Sequence, residues 1–215
     1  QYIFPYYNFS KDIKIPYHYN GKFNFNSSGY NTNYDTNVTE SVLTNDFLYS
    51  SNKFINTKGI VSSYELLLKN NNSYSKNSLN YKEDGDYDIY GTLKFDSSLP
   101  MAKIKSDYTD YLTPKISFRY SPNGNSDLSS KNILLNYNNV FSLNRIGTGS
   151  EVEGGESLSL GLEFKRDNIE GFNNFDLKIA NNLRLNENRQ LPSKSKLNKT
   201  RSDIFGNLNY RINDD

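Results

Sequence analysis

Apolar and polar side chains alternate strictly along several segments of this chain, and this period constrains the fold more than any other feature. Between residues 156 and 165, leucine or phenylalanine occupies positions 158, 160, 162 and 164, and serine, glycine, glutamate or lysine occupies the positions between them. A helix would spread these apolar side chains around its axis, whereas a strand places all of them on one face. The segment is therefore predicted to be a β-strand with one apolar and one polar face.

The same alternation recurs along most of the chain. It is clear in residues 87–95, 115–120, 175–185 and 204–212, and weaker in 23–25, 43–49, 60–68 and 132–143. With the opening segment these make about ten strands. Clusters of Asn, Gly, Ser and Asp, which favour turns, are found at 70–73, 83–86, 121–125 and 186–188. Pro114 is expected at the start of a strand, where a missing N–H donor is tolerated. No helical crossover pattern intervenes, so an antiparallel meander is predicted.

Composition excludes several classes of protein. Alanine occurs only at 102 and 180, which argues against a helical bundle, and there is no cysteine for a zinc ribbon, disulfide scaffold or thiol enzyme. A membrane-spanning helix needs about 20 consecutive apolar residues, and no apolar run here exceeds three residues, as in the three leucines at 66–68. The net charge of +1 does not indicate a basic surface that would bind nucleic acid.

Strand length favours a membrane barrel over a soluble sheet. Membrane strands need about 9–11 residues, soluble strands average about 5–6, and the runs at 156–165 and 175–185 reach the longer value. A hydrophobic content of 35% is thin for a soluble core, but a barrel needs only one apolar face. A large soluble sheet with one solvated face gives the same pattern. In the barrel, the lipid-facing side chains are predicted to be Ile116, Phe118, Leu158, Leu160, Leu162 and Phe164. Leu160→Arg should then impair assembly and Ser159→Arg should be tolerated.

Three motifs, in the same order and spacing, resemble the LptD family of outer-membrane proteins that assemble lipopolysaccharide. They are YLTPKIS at 111–117, NVFSLNRIG at 139–147 followed by VEGGESLSLGLEF at 152–164, and LPS, SKL and SDIFG between 191 and 206. The resemblance covers about 108–206, and the middle motif is the most specific. The sequence departs from the family at Lys196, where glycine is usual, and at 149–151, where the family has a tight Tyr-Asp pair.

The resemblance implies an all-β fold, an antiparallel meander of long strands within a large transmembrane outer-membrane β-barrel. It implies a translocon component, not an enzyme, that inserts lipopolysaccharide into the outer leaflet of a Gram-negative outer membrane. Its implied partners are an LptE-like lipoprotein plug and a periplasmic Lpt bridge. We expect residues 1–215 to be one segment of the barrel domain, truncated at both ends. The alternatives are another outer-membrane barrel (a porin or nutrient receptor) and a secreted β-rich adhesin or surface-binding domain.

The stretch from Asn144 and Arg145 to Glu153, Gly154 and Gly155 is the most distinctive candidate site. In a functional interpretation it folds into the lumen and contacts the lipoprotein or the lipopolysaccharide path. In a structural interpretation Arg145 and Glu153 pair to fix a long loop, and the glycines give the backbone freedom to enter the next strand. The structural one is favoured because paired charges commonly shape structure. Other family-motif positions with possible lumen or partner contacts are Pro114, Ser202 and Asp203.

No catalytic, cofactor or metal site is predicted. Residues 84–88 begin like a calcium loop, but Ile89 and Phe95 stand where glycine and glutamate are required, so a hairpin turn is favoured. Gly147, Thr148 and Gly149 lack the third glycine and the helix of a dinucleotide site. His18, the one histidine, has no partner motif and is interpreted as a loop residue. The cations at 194, 196, 199 and 201 either contact lipopolysaccharide phosphates or form a solvated loop, which is favoured.

Overall fold

One antiparallel sheet dominates the computed structural model, which describes residues 2–14, 16, 20–79, 81–122, 127–146, 152–170 and 173–211. Eleven strands form in these residues, together with one turn of 3-10 helix at Lys194–Lys196. The strands are β1 (Tyr2–Ile13), β2 (Gly21–Asn33), β3 (Thr39–Ser51), β4 (Phe54–Ile55), β5 (Val61–Lys76), β6 (Asp84–Ser98), β7 (Met101–Ile104), β8 (Tyr108–Ser121), β9 (Gly155–Asn168), β10 (Asn173–Arg184) and β11 (Phe205–Tyr210).

The strands follow each other across the sheet in chain order. Nine form the continuous path β1-β2-β3-β5-β6-β8-β9-β10-β11, while β4 pairs with β5 and β7 pairs with β8. Neighbours pair antiparallel, β1 and β11 lie at the two edges, and the sheet is not closed. The predicted all-β antiparallel meander is therefore confirmed. β5 has 16 residues and β9 has 14, so both exceed the length that a tilted membrane strand requires.

The strand register gives the sheet an apolar face and a polar face. Residues directly opposite each other in an antiparallel pair lie on the same side. Phe118 lies opposite Leu158, Ile116 opposite Leu160, and Leu112 opposite Phe164. The apolar face is the one that carries these residues and Leu162. The polar face is the opposite one, and it carries Ser117, Arg119, Ser157, Ser159 and Asn182.

Burial on the two faces is the reverse of that in a soluble protein. Ile116 on the apolar face is 42% exposed, whereas Arg119 on the polar face is 2% exposed. The same inversion occurs on β5, where Leu66 and Leu68 are exposed and Lys69 is buried. A contiguous exposed apolar surface of this kind marks a face that contacts an apolar partner or a membrane.

Two long loops cover the polar face. The β8–β9 loop, described at 127–146 and 152–154, and the β10–β11 loop, residues 185–204, pack against each other and against the sheet through a shared apolar cluster. Its buried members are Leu128, Leu135, Tyr137, Val140, Ile146, Ala180, Leu191, Leu197 and Phe205. A second small cluster joins Val152 and Leu143 to Leu67 and Tyr90 on the sheet. The polar face is thus buried by the chain's own loops.

Four predictions of local structure are wrong. Residues 132–143 form turns in the β8–β9 loop, because their apolar side chains pack into the loop cluster instead of a strand pair. Residues 70–73 lie within β5, and residues 84–88, also predicted to turn, lie within β6, so the connection between these strands is the short segment between Lys76 and Asp84. Pro114 lies inside β8, between the part that pairs with β7 and the part that pairs with β6. At this junction no ladder bond to either strand needs its missing N–H, and its carbonyl accepts a bond from the Leu99 N–H at 3.1 Å.

Candidate functional site

A buried carboxylate, Glu153, lies near the end of the β8–β9 loop and joins that loop to the sheet. It is 0% exposed. Arg145 donates two hydrogen bonds to this carboxylate, from Nε to Oε2 at 2.8 Å and from Nη2 to Oε1 at 2.5 Å. Arg184, at the end of β10, also donates Nη1 to Oε1. The two residues that sequence reasoning placed as a possible pair are therefore in contact, and a third residue joins them.

Arg145 uses its remaining donors on the polar face of the sheet. Nη2 bonds Ser157 at 2.8 Å, and Nη1 bonds the side-chain oxygen of Asn182 at 2.5 Å and contacts Ser159 at 3.3 Å. A guanidinium offers five N–H donors in a fixed plane, so this geometry holds the loop in one position against β9 and β10. Ser159 is 3% exposed within this cluster. The structure argues against the expectation that Ser159→Arg is tolerated, because the position is covered and faces another arginine.

The two glycines after Glu153 let the chain enter β9. The carbonyl of Gly154 accepts a hydrogen bond from Arg184 Nη2 at 2.6 Å. Gly155 has a φ of +89°, and a Cβ there would lie 2.7 Å from Arg184 Nη2. The backbone angle favours glycine, and a Cβ would also displace the guanidinium end of Arg184. This is the backbone role that the structural interpretation gives these residues.

Positive charge exceeds negative charge in this cluster. Three guanidinium groups, from Arg119, Arg145 and Arg184, act on the one carboxylate. Burial raises the pKa of Glu153, but the arginines outweigh it and lower that pKa to about 2. Arg119 donates Nε to the Leu143 carbonyl at 2.8 Å, and its Nη1 and Nη2 atoms are buried without a hydrogen-bond partner in the described structure. The charged form of Glu153 is therefore strongly favoured in the folded protein.

Side chains of the sheet also fasten the main chain of the β8–β9 loop. Ser159 donates to the carbonyl of Val140 at 3.0 Å, and Lys94 donates to that of Phe141 at 2.9 Å. Tyr137 donates its hydroxyl to Glu163 at 2.7 Å. Burial and this carboxylate raise the pKa of Tyr137. The loop is thus held at points along its length, which makes it a fixed cover of the polar face.

Ser202 and Asp203 lie in the β10–β11 loop, next to the same cluster. The Asn182 N–H donates to Ser202 Oγ at 2.8 Å, which ties this loop to the residue that Arg145 contacts. Asp203 pairs with Lys196 at 2.6 Å and Lys199 pairs with Glu187 at 3.2 Å, both on the surface. These pairs fit the solvated-loop interpretation of the basic segment. Ser202 thus belongs to the buried cluster and Asp203 to its exposed rim.

The remaining predicted residues lie elsewhere. Asn144 accepts a hydrogen bond from the Ile146 N–H at 3.2 Å within the loop. Pro114 is on the apolar face, opposite Leu162. The six residues predicted to face lipid share that apolar face, and their contact with lipid stays a prediction. His18 and the 147–149 segment lie outside the described residues.

Sequence reasoning missed Arg119, Arg184 and Asn182. Each occupies a polar position in an alternating strand, which is a visible signal. Their positions around Glu153 depend on the strand register, which cannot be predicted from the spacing of these residues in the sequence. Among the described residues no group of three or more His, Cys, Asp or Glu side chains could hold a metal ion. The arrangement is suited to fixing the loops and carries no nucleophile–base pair.

The comparison with protein families decides the identity. Residues 8–215 match the model of the family LptD, described as LPS transport system D. The chain belongs to the LptD family. The match extends well beyond the 108–206 region in which motifs resemble the family, and it includes most of the strands at the N-terminal end of the sheet. No curated protein matches the chain.

Membership in the LptD family confirms the predicted resemblance and places the open sheet within a known architecture. LptD proteins are outer-membrane β-barrels of Gram-negative bacteria that serve lipopolysaccharide transport, a transport and assembly role and not a known enzymatic one. The exposed apolar face and the covered polar face agree with that architecture. In the described part of the chain, no helix is long and apolar enough to cross a membrane.

Proposed function

We propose that this chain forms part of the wall of an outer-membrane translocon that inserts lipopolysaccharide into the outer leaflet. The inverted burial of the sheet carries this proposal. An apolar outer face and a polar inner face suit a wall between lipid and a compartment that receives an amphipathic molecule. The location in the outer membrane of a Gram-negative bacterium is part of the proposal.

The loops suggest an orientation for this wall. Barrels of the outer membrane have short periplasmic turns and longer extracellular loops. The β8–β9 and β10–β11 loops lie at the same end of the sheet, and the connections at the opposite end of these strands, such as 105–107, are short. The long-loop end is therefore assigned to the cell exterior. Arg145, Glu153 and their partners then act as the lock that keeps the loops folded over the polar face.

Two partners are part of the proposal. An LptE-like lipoprotein would contact the polar side of the barrel, where Asn144 and Asp203 lie near the surface of the covering loops. The periplasmic Lpt bridge would deliver lipopolysaccharide through a domain outside residues 1–215. Both assignments derive from the family and are tested by cross-linking and co-purification of the full-length protein.

Depletion of the full-length protein in its own host tests the function. The expected result is that newly made lipopolysaccharide stops reaching the cell surface, measured by its accessibility to an added surface enzyme or antibody, while other outer-membrane barrels still assemble. Normal surface lipopolysaccharide together with lost uptake of a small solute would instead indicate a porin or receptor. Recovery of the protein in soluble form without detergent would indicate an adhesin, and would refute the membrane assignment.

A further inference from the structure

A cleft opens on the apolar face at the end opposite the long loops. It has a volume of about 530 Å³ and is lined by Phe164, Arg166, Asn174, Phe175, Tyr210 and Arg211. Its aromatic wall is continuous, since the Phe164 and Phe175 rings are 5.8 Å apart and the Phe175 and Tyr210 rings are 6.5 Å apart. The volume falls within the range of small-molecule sites. An apolar wall with cations at its rim suits an amphipathic ligand with an anionic head.

Register places more cations beside this cleft. Lys103 lies opposite Asp110, and Asp110 lies opposite Arg166, so all three share the apolar face. Arg166 binds Asp110 through Nε at 2.6 Å and Nη2 at 3.0 Å, and its guanidinium carbon lies 4.1 Å from the centre of the Tyr108 ring. Lys105 Nζ lies 5.3 Å from the same ring. We call Lys103, Lys105, Asp110, Arg166 and Arg211 the interfacial cluster. It holds four cations and one carboxylate.

The opposite end of the same face has a different character. At the long-loop end, β8, β9 and β10 place Tyr120, Glu156 and Leu183 on the apolar face. Among the described residues of these three strands, the apolar face carries one cation, Arg166, and it lies at the short-turn end beside Lys103 of β7. Aromatic and cationic side chains directly beside an apolar belt are typical of the level of lipid headgroups. In the proposed orientation this is the periplasmic leaflet, which consists of glycerophospholipids.

We propose that the cleft binds an anionic glycerophospholipid, with its phosphate at Arg166 and Arg211 and an acyl chain along Phe164, Phe175 and Tyr210. This inference rests on the proposed membrane function. Arginine is suited to the phosphate because its planar donors match phosphate oxygens. Asp110 orients Arg166 but also competes for its donors, so Asp110 is expected to weaken phosphate binding.

Native mass spectrometry of the detergent-purified full-length protein, titrated with phosphatidylglycerol, tests the site. The double variant Arg166→Gln/Arg211→Gln should lower phosphatidylglycerol affinity about 10-fold or more. The matched control Arg189→Gln/Lys131→Gln removes two exposed cations from the long loops and should leave the affinity unchanged. Asp110→Asn should raise it, which gives a test in the opposite direction if the double variant folds poorly.

Competing ligands identify the source of the phosphate. Inorganic phosphate at millimolar concentration should not displace phosphatidylglycerol, because it lacks the chains that contact the aromatic wall. Equal phosphatidylglycerol affinity in the wild type and the double variant would overturn the inference. The inference would also be overturned if lipid A bound more tightly than phosphatidylglycerol and lost that affinity in the double variant. If either result is found while the protein still exports lipopolysaccharide, the proposed lipid site is refuted and the proposed function is not. A protein that does not integrate into the outer membrane refutes the proposed function.

Discussion

Neutralising Glu153 should release the loops from the polar face. The variant Glu153→Gln keeps the size of the side chain but leaves the guanidinium groups of Arg145 and Arg184 buried without a counter-charge. Removing one partner of a buried ion pair costs about 3–5 kcal/mol. Because about 1.36 kcal/mol corresponds to a factor of ten, the open form of the loop should become roughly 10²–10⁴-fold more populated.

A thiol placed in the loop measures this opening. Val140 is 1% exposed, and the 215 residues contain no cysteine. Val140→Cys in the full-length protein should therefore react slowly with a maleimide, at a rate set by loop opening. Protein without this substitution gives the background. Adding Glu153→Gln should raise the labelling rate by the factor above.

Glu187→Gln is the matched control. Glu187 pairs with Lys199 at 3.2 Å, and both side chains are about half exposed. Exposed pairs contribute about 0–1 kcal/mol, so the labelling rate should change less than about 5-fold. Equal rates in the two variants would refute the argument that the buried carboxylate holds the loop. If Glu153→Gln assembles poorly, Arg145→Met in the same assay tests the same lock from the other side.

Three further predictions use the same assay or barrel assembly as readout. Since the pKa of Glu153 is lowered from 4.5 to about 2, the closed loop should be fully stable above pH 4.5 and lose about 3 kcal/mol as the pH falls towards 2; a labelling rate independent of pH, after correction for thiol ionisation, would contradict this. Gly155→Ala should destabilise the closed loop by about 1–2 kcal/mol because alanine disfavours the positive φ at this position. Gly91→Ala should not change the labelling rate, because the space around a Cβ there is open. Leu160→Arg should reduce membrane assembly by placing a charge on the apolar face at a cost of about 2–4 kcal/mol, whereas Ser159→Arg should increase Val140→Cys labelling; normal assembly of Leu160→Arg would refute the lipid-facing assignment.

Side-chain alternation predicts the strands well because burial on one face is a local property. The leucines of β9 and the residues opposite them on β8 share a face, as the period of two requires. The prediction fails at 132–143, where alternating apolar residues enter a loop cluster. There, Asn136 and Asn139 make short-range hydrogen bonds that close turns, with distances of 2.8–3.1 Å. Such local bonds compete with strand formation and are not visible in the apolar pattern.

The sequence predicts only part of the candidate site, for a different reason. Arg145 and Glu153 are eight residues apart, so a loop brings them together with little constraint from the rest of the fold. Arg184 and Glu153 are 31 residues apart, and their contact requires the pairing of β9 with β10 in one register. A shift of one residue would turn Arg184 to the apolar face. Local spacing therefore predicts the pair, and register determines the cluster.

The chemistry of the contacts explains how polar strands and an apolar loop cluster coexist. Ser159, Lys94 and Arg119 of the sheet donate to main-chain carbonyls of the β8–β9 loop. Every residue has a main-chain carbonyl that can accept such a bond. The side chains of that loop are therefore not needed to bind the sheet and can pack with each other. Most loop positions then need only to be apolar and of suitable size. Arg145 and Glu153 are the exception, because two buried charges need specific partners, and a change at either should cost more than one at the apolar residues between them.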